Sequence, residues 1–249
     1  VQHIPLLFAA ALLAGAMNAV SGGGSFVSFP ALIYAGVPSV VANATSTVAL
    51  FPGAFASAYA YRQDAVGFVG VSLSVMLAVS MTGGLAGAVL LLFTPSSVFD
   101  FLVPWLLLLG ASAFAFGRPL GLWLRQRVRI GIPTLIGAQF ALGLYGGYFG
   151  GAVGIMMMAV WSIFGMSDIK AMAAARTFLT GATNATAVVC FILAGVISWK
   201  PALVMLVAGL IGGYSGARMT RLVPPDRLRR GVVVLNFLIT AALFYRTYA

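Results

Sequence analysis

The sequence predicts an all-α integral membrane protein. It would be made of two inverted-topology repeats of about five membrane segments each, with Gly-broken or re-entrant short helices. Three observations predict this: an extreme apolar composition, a chain divisible into ten apolar runs, and a gap-free match between its halves. Of 249 residues, 61% are hydrophobic and only 7% are charged, and the mean hydropathy is +1.06. A soluble domain carries about 25% charged residues to clothe its surface. At about 20 residues per spanning helix, the chain has room for roughly ten segments and no separate soluble domain.

The charge balance reinforces this reading. Fourteen Lys and Arg face four acids, Asp64, Asp100, Asp168 and Asp226, for a net charge of +10. In a soluble protein that excess would point to nucleic acid. Here the bases sit in short connections between apolar runs, a pattern of membrane topology. The expected partner is therefore the lipid bilayer and not nucleic acid, a homo-oligomer is compatible with the sequence, and the glycine breaks and Arg176 suggest a small anionic substrate as a further partner. The single Cys190 cannot form an intrachain disulfide and lies in an apolar run, so it reads as packing. Residues 1–17 lack the basic n-region of a cleavable signal.

The apolar runs fall at 4–20, 22–37, 40–61, 65–93 and 98–117, then at 132–149, 151–165, 169–194, 199–222 and 231–245. These define an N-terminal transmembrane repeat, 1–117, a basic cytoplasmic connection, 118–131, and a C-terminal repeat, 132–249. The second run of each half is short for a straight span and reads as a half-helix or one arm of a re-entrant hairpin. At a constant offset, Gly22 falls on Gly151, Gly36 on Gly165, Ala56 on Ala185, Met76 on Met205 and Pro95 on Pro224. Gly83-Gly84-Leu85-Ala86-Gly87-Ala88 likewise falls on Gly212-Gly213-Tyr214-Ser215-Gly216-Ala217. Placing the Arg-rich stretches 118–129 and 222–230 both in the cytoplasm demands an even number of crossings between them. That count puts the equivalent loops 93–97 and 222–230 on opposite faces, so the halves are expected to be inverted.

Two features could carry chemistry. Ser21-Gly22-Gly23-Gly24-Ser25 interrupts the first half, and Gly146-Gly147-Tyr148-Phe149-Gly150-Gly151-Ala152-Val153-Gly154 interrupts the second. Broken backbone within a membrane is tolerated only when buried in protein or lining a cavity. Close helix packing explains a single glycine; paired breaks at corresponding positions point to a substrate site, where N–H groups at helix starts can hold an anion. The third segments then open on Ser39 and Asp168, both expected as N-caps. They carry the polar runs Asn43, Thr45, Ser46, Thr47 and Arg176, Thr177, Thr180, Thr183, Asn184.

Arg176 lies about 9 Å along its helix from Lys170, at a cost of at least about 2.5–3.5 kcal/mol if exposed to lipid tails. Either it snorkels to the interface or an anion is its counter-charge. The expected substrate-binding residues are Gly22, Gly23, Gly24, Ser25, Asn43, Thr45, Ser46, Gly150, Gly151, Arg176, Thr177 and Thr180. Nothing resembles a metal cluster, a nucleophile–base dyad or a carboxylate pair, so neither an enzyme nor a cofactor is expected. Trp105, Trp123, Trp161 and Trp199 read as interfacial or packing residues.

Two stretches resemble the TauE/SafE family of sulfite-exporter-type permeases. One is Gly22–Gly24 through Ser28-Phe29-Pro30 to Gly36-Val37-Pro38 and Ala42–Thr47. The other is the Gly146–Gly154 run with Gly165-Met166 and Ala173–Thr177. The resemblance extends over nearly the whole chain, although Ala159 stands where the first copy has Pro30, and Arg176 where it has Thr47. It implies a multi-pass inner-membrane transporter of sulfite, a sulfonate or a related organosulfur or organic anion. With the inverted repeats, the expected function is secondary transport of a small anion by alternating access. A passive anion channel is the alternative, and a non-transporting membrane scaffold the more distant one.

Overall fold

The computed structural model describes residues 3–20, 23–61, 70–125, 131–166, 168–219 and 225–248. Nearly all of them are helical: α1 Ile4–Val20, α2 Ser25–Tyr34, α3 Ser39–Tyr61, α4 Leu73–Phe93 and α5 Ser96–Arg125 precede α6 Ile132–Tyr148, α7 Val153–Ile163, α8 Ile169–Leu193, α9 Trp199–Met219 and α10 Pro225–Tyr248. Among the described residues, four stretches are long and apolar enough to cross a bilayer: Leu73–Phe93, Ser96–Ala113, Ala171–Leu193 and Arg230–Tyr248. Rows of large apolar side chains face outward, among them Phe93, Leu193, Leu203 and Leu238, the reverse of a soluble surface.

Several boundaries differ from the apolar runs. Residues 70–72, inside the fourth run, are not helical, and α4 begins at Leu73, where the Ser72 hydroxyl accepts from the Val75 N–H at 3.4 Å; hydropathy does not register a cap. The basic stretch after residue 117 continues α5 as helix to Arg125, because Arg is a good helix former. Of the two expected caps, Asp168 accepts from the Ala171 N–H at 3.1 Å. Ser39 does not cap: the Ala42 N–H bonds the Pro38 carbonyl at 2.7 Å, and the Ser39 hydroxyl has no partner among the described residues.

Helices α1 and α9 pack closely, as do α4 and α6, and glycine makes both seams. A Cβ on Gly212 would fall on the Leu12 carbonyl and one on Gly15 on the Gly209 carbonyl. At the other seam a Cβ on Gly83 would lie 2.6 Å from the Phe140 carbonyl oxygen, and one on Gly143 2.8 Å from that of Ser80. Small residues allow such backbone approach where lipid offers no hydrophobic drive. Helices α5 and α10 run antiparallel, with Phe101 on Tyr248 (5.2 Å between ring centroids) and Trp105 on Phe244 (5.1 Å). The Tyr248 hydroxyl accepts from the Trp105 indole at 2.9 Å and donates to the Phe101 carbonyl at 2.7 Å. Helices α3 and α8 cross in the interior, where the Thr45 hydroxyl oxygen accepts from the Ser198 N–H just before α9.

Left-handed backbone also recurs at the sequence offset. Gly23 (φ +90°) corresponds to Ala152 (φ +60°), and Gly36 (φ +85°) to Gly165 (φ +98°). The first pair turns the chain from a long helix into the short one that follows; the second ends the short helix. In both halves, therefore, an apolar segment stops inside the bundle and a short helix leaves it in a new direction. The return is visible in the first half, where the His3 ring meets that of Tyr34 at 5.8 Å, joining the start of α1 to the end of α2.

Candidate functional site

The two breaks sit side by side. Gly151 lies against Phe26 in the first turn of α2, 3.3 Å from where its Cβ would be. Phe29 packs edge-on against Phe149 at 5.8 Å, and Phe99 against Phe29 at 6.1 Å. Gly110 of α5 completes the contact: its missing Cβ leaves room for Phe26, the Tyr145 hydroxyl and Ala152. Phe26, Phe29 and Phe149 are all buried, and they fill the space between the breaks with aromatic rings.

Interrupting a helix strands backbone groups, the first N–H groups of one piece and the last carbonyls of the other. Asparagines answer both. At the first break the Asn18 side-chain oxygen accepts from the Gly24 N–H at 2.7 Å. At the second, the Asn43 amide reaches across from α3 and donates to the Tyr148 carbonyl at 3.0 Å. A third asparagine, Asn236 of α10, is fully buried with its amide nitrogen 3.8 Å from where a Gly23 Cβ would be. Neither polar atom of the Asn236 side chain has a hydrogen-bond partner among the described residues.

Of the expected site residues, Gly23, Gly24 and Ser25 form the first break, and Gly150 and Gly151 the second; Gly22 lies outside the described residues. Asn43, Thr45 and Ser46 are buried and engaged: Asn43 with Tyr148, Thr45 with Ser198, and Ser46 with Ser28 through hydroxyls 2.6 Å apart. The Thr177 hydroxyl donates to the Ala173 carbonyl one turn back at 2.8 Å, the self-satisfied form open to a helical threonine.

Arg176 and Thr180 come together against α7. The Arg176 Cγ and Cδ would lie 2.9 and 3.0 Å from a Cβ on Gly154, and the Thr180 hydroxyl 3.2 Å from it. Gly154 is the second residue of α7, so the arginine stem crosses the first turn of a helix whose opening N–H groups have no preceding carbonyl. A Cβ there would displace the stem. Thr180 also directs its hydroxyl to the Met157 sulfur at 3.8 Å.

Two hollows border this region, one reaching Tyr148 and the other Phe29. One, of about 390 Å³, is an apolar groove of α4, α5 and α6 lined by Leu90, Thr94, Leu102, Leu106 and Tyr148. The other, of about 480 Å³, lies where α2, α3, α5 and α10 end or begin, with Phe29 on its wall. Asn18, Ser28, Gly154 and Asn236 were absent from the expected site. Asn18 had a local signal, a polar side chain just ahead of three glycines, whereas Asn236 joins the break only through the fold.

Comparisons with known proteins place this helical bundle among membrane transporters. The chain is 29% identical over 245 residues to the probable membrane transporter protein YfcA of Escherichia coli K12, a match covering 98% of this chain and 90% of that protein. It is 30% identical over 248 residues to a probable membrane transporter protein of Haemophilus influenzae, covering 98% and 96%. A probable membrane transporter protein, ORF9, of a Sinorhizobium species is 28% identical over 218 residues, covering 86% and 82%. The model of the sulfite exporter TauE/SafE family matches residues 7–243, and the chain belongs to that family. No solved structure matches it.

Proposed function

We propose that the protein is a secondary transporter of a small oxyanion, sulfite or an organic sulfonate, working by alternating access in the inner membrane, and that it is not an enzyme. The anion is held where the two helix breaks meet. The observation that carries this reading is the position of Arg176, whose stem lies across the first turn of α7 at Gly154. A guanidinium and a helix N-terminus are both electropositive, and an oxyanion is the group both favour. Thr180 stands beside them as a hydroxyl donor, while the Gly23 backbone just ahead of α2 and the Asn236 amide of α10 supply the other half-site; the Gly24 N–H would join only by exchanging the Asn18 oxygen it now holds.

Duplication supports the mechanism. The left-handed pairs Gly23/Ala152 and Gly36/Gly165, the two glycine seams and the antiparallel α5–α10 contact suit inverted repeats. Such repeats exchange conformations by rocking about a fixed midplane site. In the described arrangement Phe26, Phe29 and Phe149 fill the space between the breaks, so passage requires these rings to move. Asn43, Thr45 and Ser46 would reach the anion only by exchanging their present partners.

The test is counterflow in proteoliposomes. Loading vesicles with unlabelled sulfite and adding labelled sulfite outside should give transient accumulation for the wild type and none for Arg176→Gln of equal thermal stability. Linear, non-saturating flux without counterflow would identify a passive channel.

A further inference from the structure

The hollow at the ends of α2, α5 and α10 has a composition that the central reading does not use. It has a volume of about 480 Å³ and is lined by Ser39, Asp100 and Arg246 together with apolar walls that include Phe29, Val103 and Leu243. The α5–α10 contact sets Asp100, in the second turn of α5, and Arg246, in the last turn of α10, on one cavity. Among the described residues neither forms an ion pair, with the other or elsewhere. Each sits at a helix end whose dipole favours its charge, which accounts for their presence at the surface but not for their facing a shared hollow.

Ser39 supplies the independent observation. It is only 4% exposed, lines the cavity, and its hydroxyl has no hydrogen-bond partner among the described residues. Its counterpart Asp168 caps α8 through the Ala171 N–H. On α3 the corresponding Ala42 N–H is already taken by the Pro38 carbonyl, so the Ser39 hydroxyl is left over beside the cavity. A buried hydroxyl without a partner is costly, and such a group in a native structure calls for an occupant.

We propose that this cavity binds a zwitterion, an ammonium joined to an oxyanion by a short apolar linker. The carboxylate of Asp100 takes the ammonium. Arg246 and the Ser39 hydroxyl at the start of α3 take the oxyanion, and Phe29, Val103 and Leu243 cover the linker. Two sources share that chemistry: a free small zwitterion in water, and the phosphoethanolamine headgroup of a neighbouring lipid. The proposal does not depend on the anion site at Arg176.

Calorimetric titration of the delipidated full chain with 4-aminobutyrate, butyrate and butylamine tests the first source. Native mass spectrometry from nanodiscs of mixed phosphatidylethanolamine, phosphatidylcholine and phosphatidylglycerol tests the second. At least tenfold preference for 4-aminobutyrate over both singly charged analogues assigns a free ligand, and selective retention of phosphatidylethanolamine assigns the lipid. In either case Asp100→Asn and Arg246→Gln should each weaken binding about tenfold, and Ser39→Ala should weaken it severalfold. The charge-exchanged double variant Asp100→Arg/Arg246→Asp should recover part of the loss, and Arg176→Gln should leave binding unchanged. Asp100 and Arg246 are exposed, so an unchanged melting temperature separates lost binding from lost fold. Equal binding of the zwitterion and its singly charged analogues, with no lipid preference, would overturn the proposal; so would wild-type binding by both charge variants.

Discussion

Replacing Gly83 with alanine probes the α4–α6 seam directly. The new methyl group would lie 2.6 Å from the Phe140 carbonyl oxygen, and ordinary contact begins near 3.4 Å, so the two backbones must part by about 0.8 Å. Neither partner atom is the free end of a flexible side chain, and α4 also contacts α8. Overpacking of this kind costs about 1–3 kcal/mol, while alanine recovers about 1 kcal/mol of helix propensity over glycine. The net expectation is a loss of up to about 2 kcal/mol, the difference of these terms. Gly137 is the internal control: it lies on α6, yet nothing stands within 4 Å of its Cβ position, so Gly137→Ala should be neutral or stabilising. Melting curves in one detergent should rank Gly83→Ala below wild type and Gly137→Ala at or above it. Gly212→Ala, at the matching seam, should behave like Gly83→Ala. If Gly83→Ala and Gly137→Ala melt alike, the close approach of α4 and α6 is wrong.

Other perturbations separate stability from transport. Asn236→Leu removes two buried polar atoms that have no partners among the described residues, and it should raise the melting temperature while lowering sulfite counterflow; unchanged transport would take Asn236 out of the site. Gly154→Ala should displace the Arg176 stem and weaken anion binding at least tenfold with little loss of stability, measured by titration; wild-type affinity would contradict the contact. Ala152→Gly relieves a left-handed alanine, whose strain is about 1–2 kcal/mol, and should stabilise the protein in thermal melts unless the break has another conformation. In a Cys190→Ala background, Ser97→Cys and Arg230→Cys should react with an impermeant maleimide from opposite faces of the membrane. Labelling of both from one face would defeat the inverted arrangement.

Much of the helical architecture was legible because a bilayer makes burial of backbone and side chain coincide: an apolar run of sufficient length has no structure open to it but helix or closed barrel. The breaks were legible for the converse reason, since clustered glycines are poor helix formers. What could not be read was how the broken ends are satisfied. Asn43 meets the Tyr148 carbonyl from 105 residues away, and Asn236 meets Gly23 across most of the chain; no local pattern encodes either. Nor could spacing reveal that Asn43, Thr45 and Ser46 hold helices together in this arrangement, because a helical hydroxyl or amide has the same appearance whether it faces a ligand or a neighbouring strut. Arg176 stood out by its charge, but its seat depends on one missing methyl group, at Gly154 on a different helix. The start of α4 and the extent of α5 were misjudged because hydropathy sees neither the Ser72 cap nor a helix that continues through arginines.

The central claim is that an oxyanion binds at the meeting of the two breaks and crosses the membrane from there. Solid-supported membrane recordings on proteoliposomes, with sulfite, thiosulfate and sulfoacetate pulses, test it most directly. At least one anion should give a saturable charge displacement in the wild type that disappears in Arg176→Gln at unchanged melting temperature. Silence to the whole panel, or an Arg176→Gln response of wild-type size and affinity, would contradict the account.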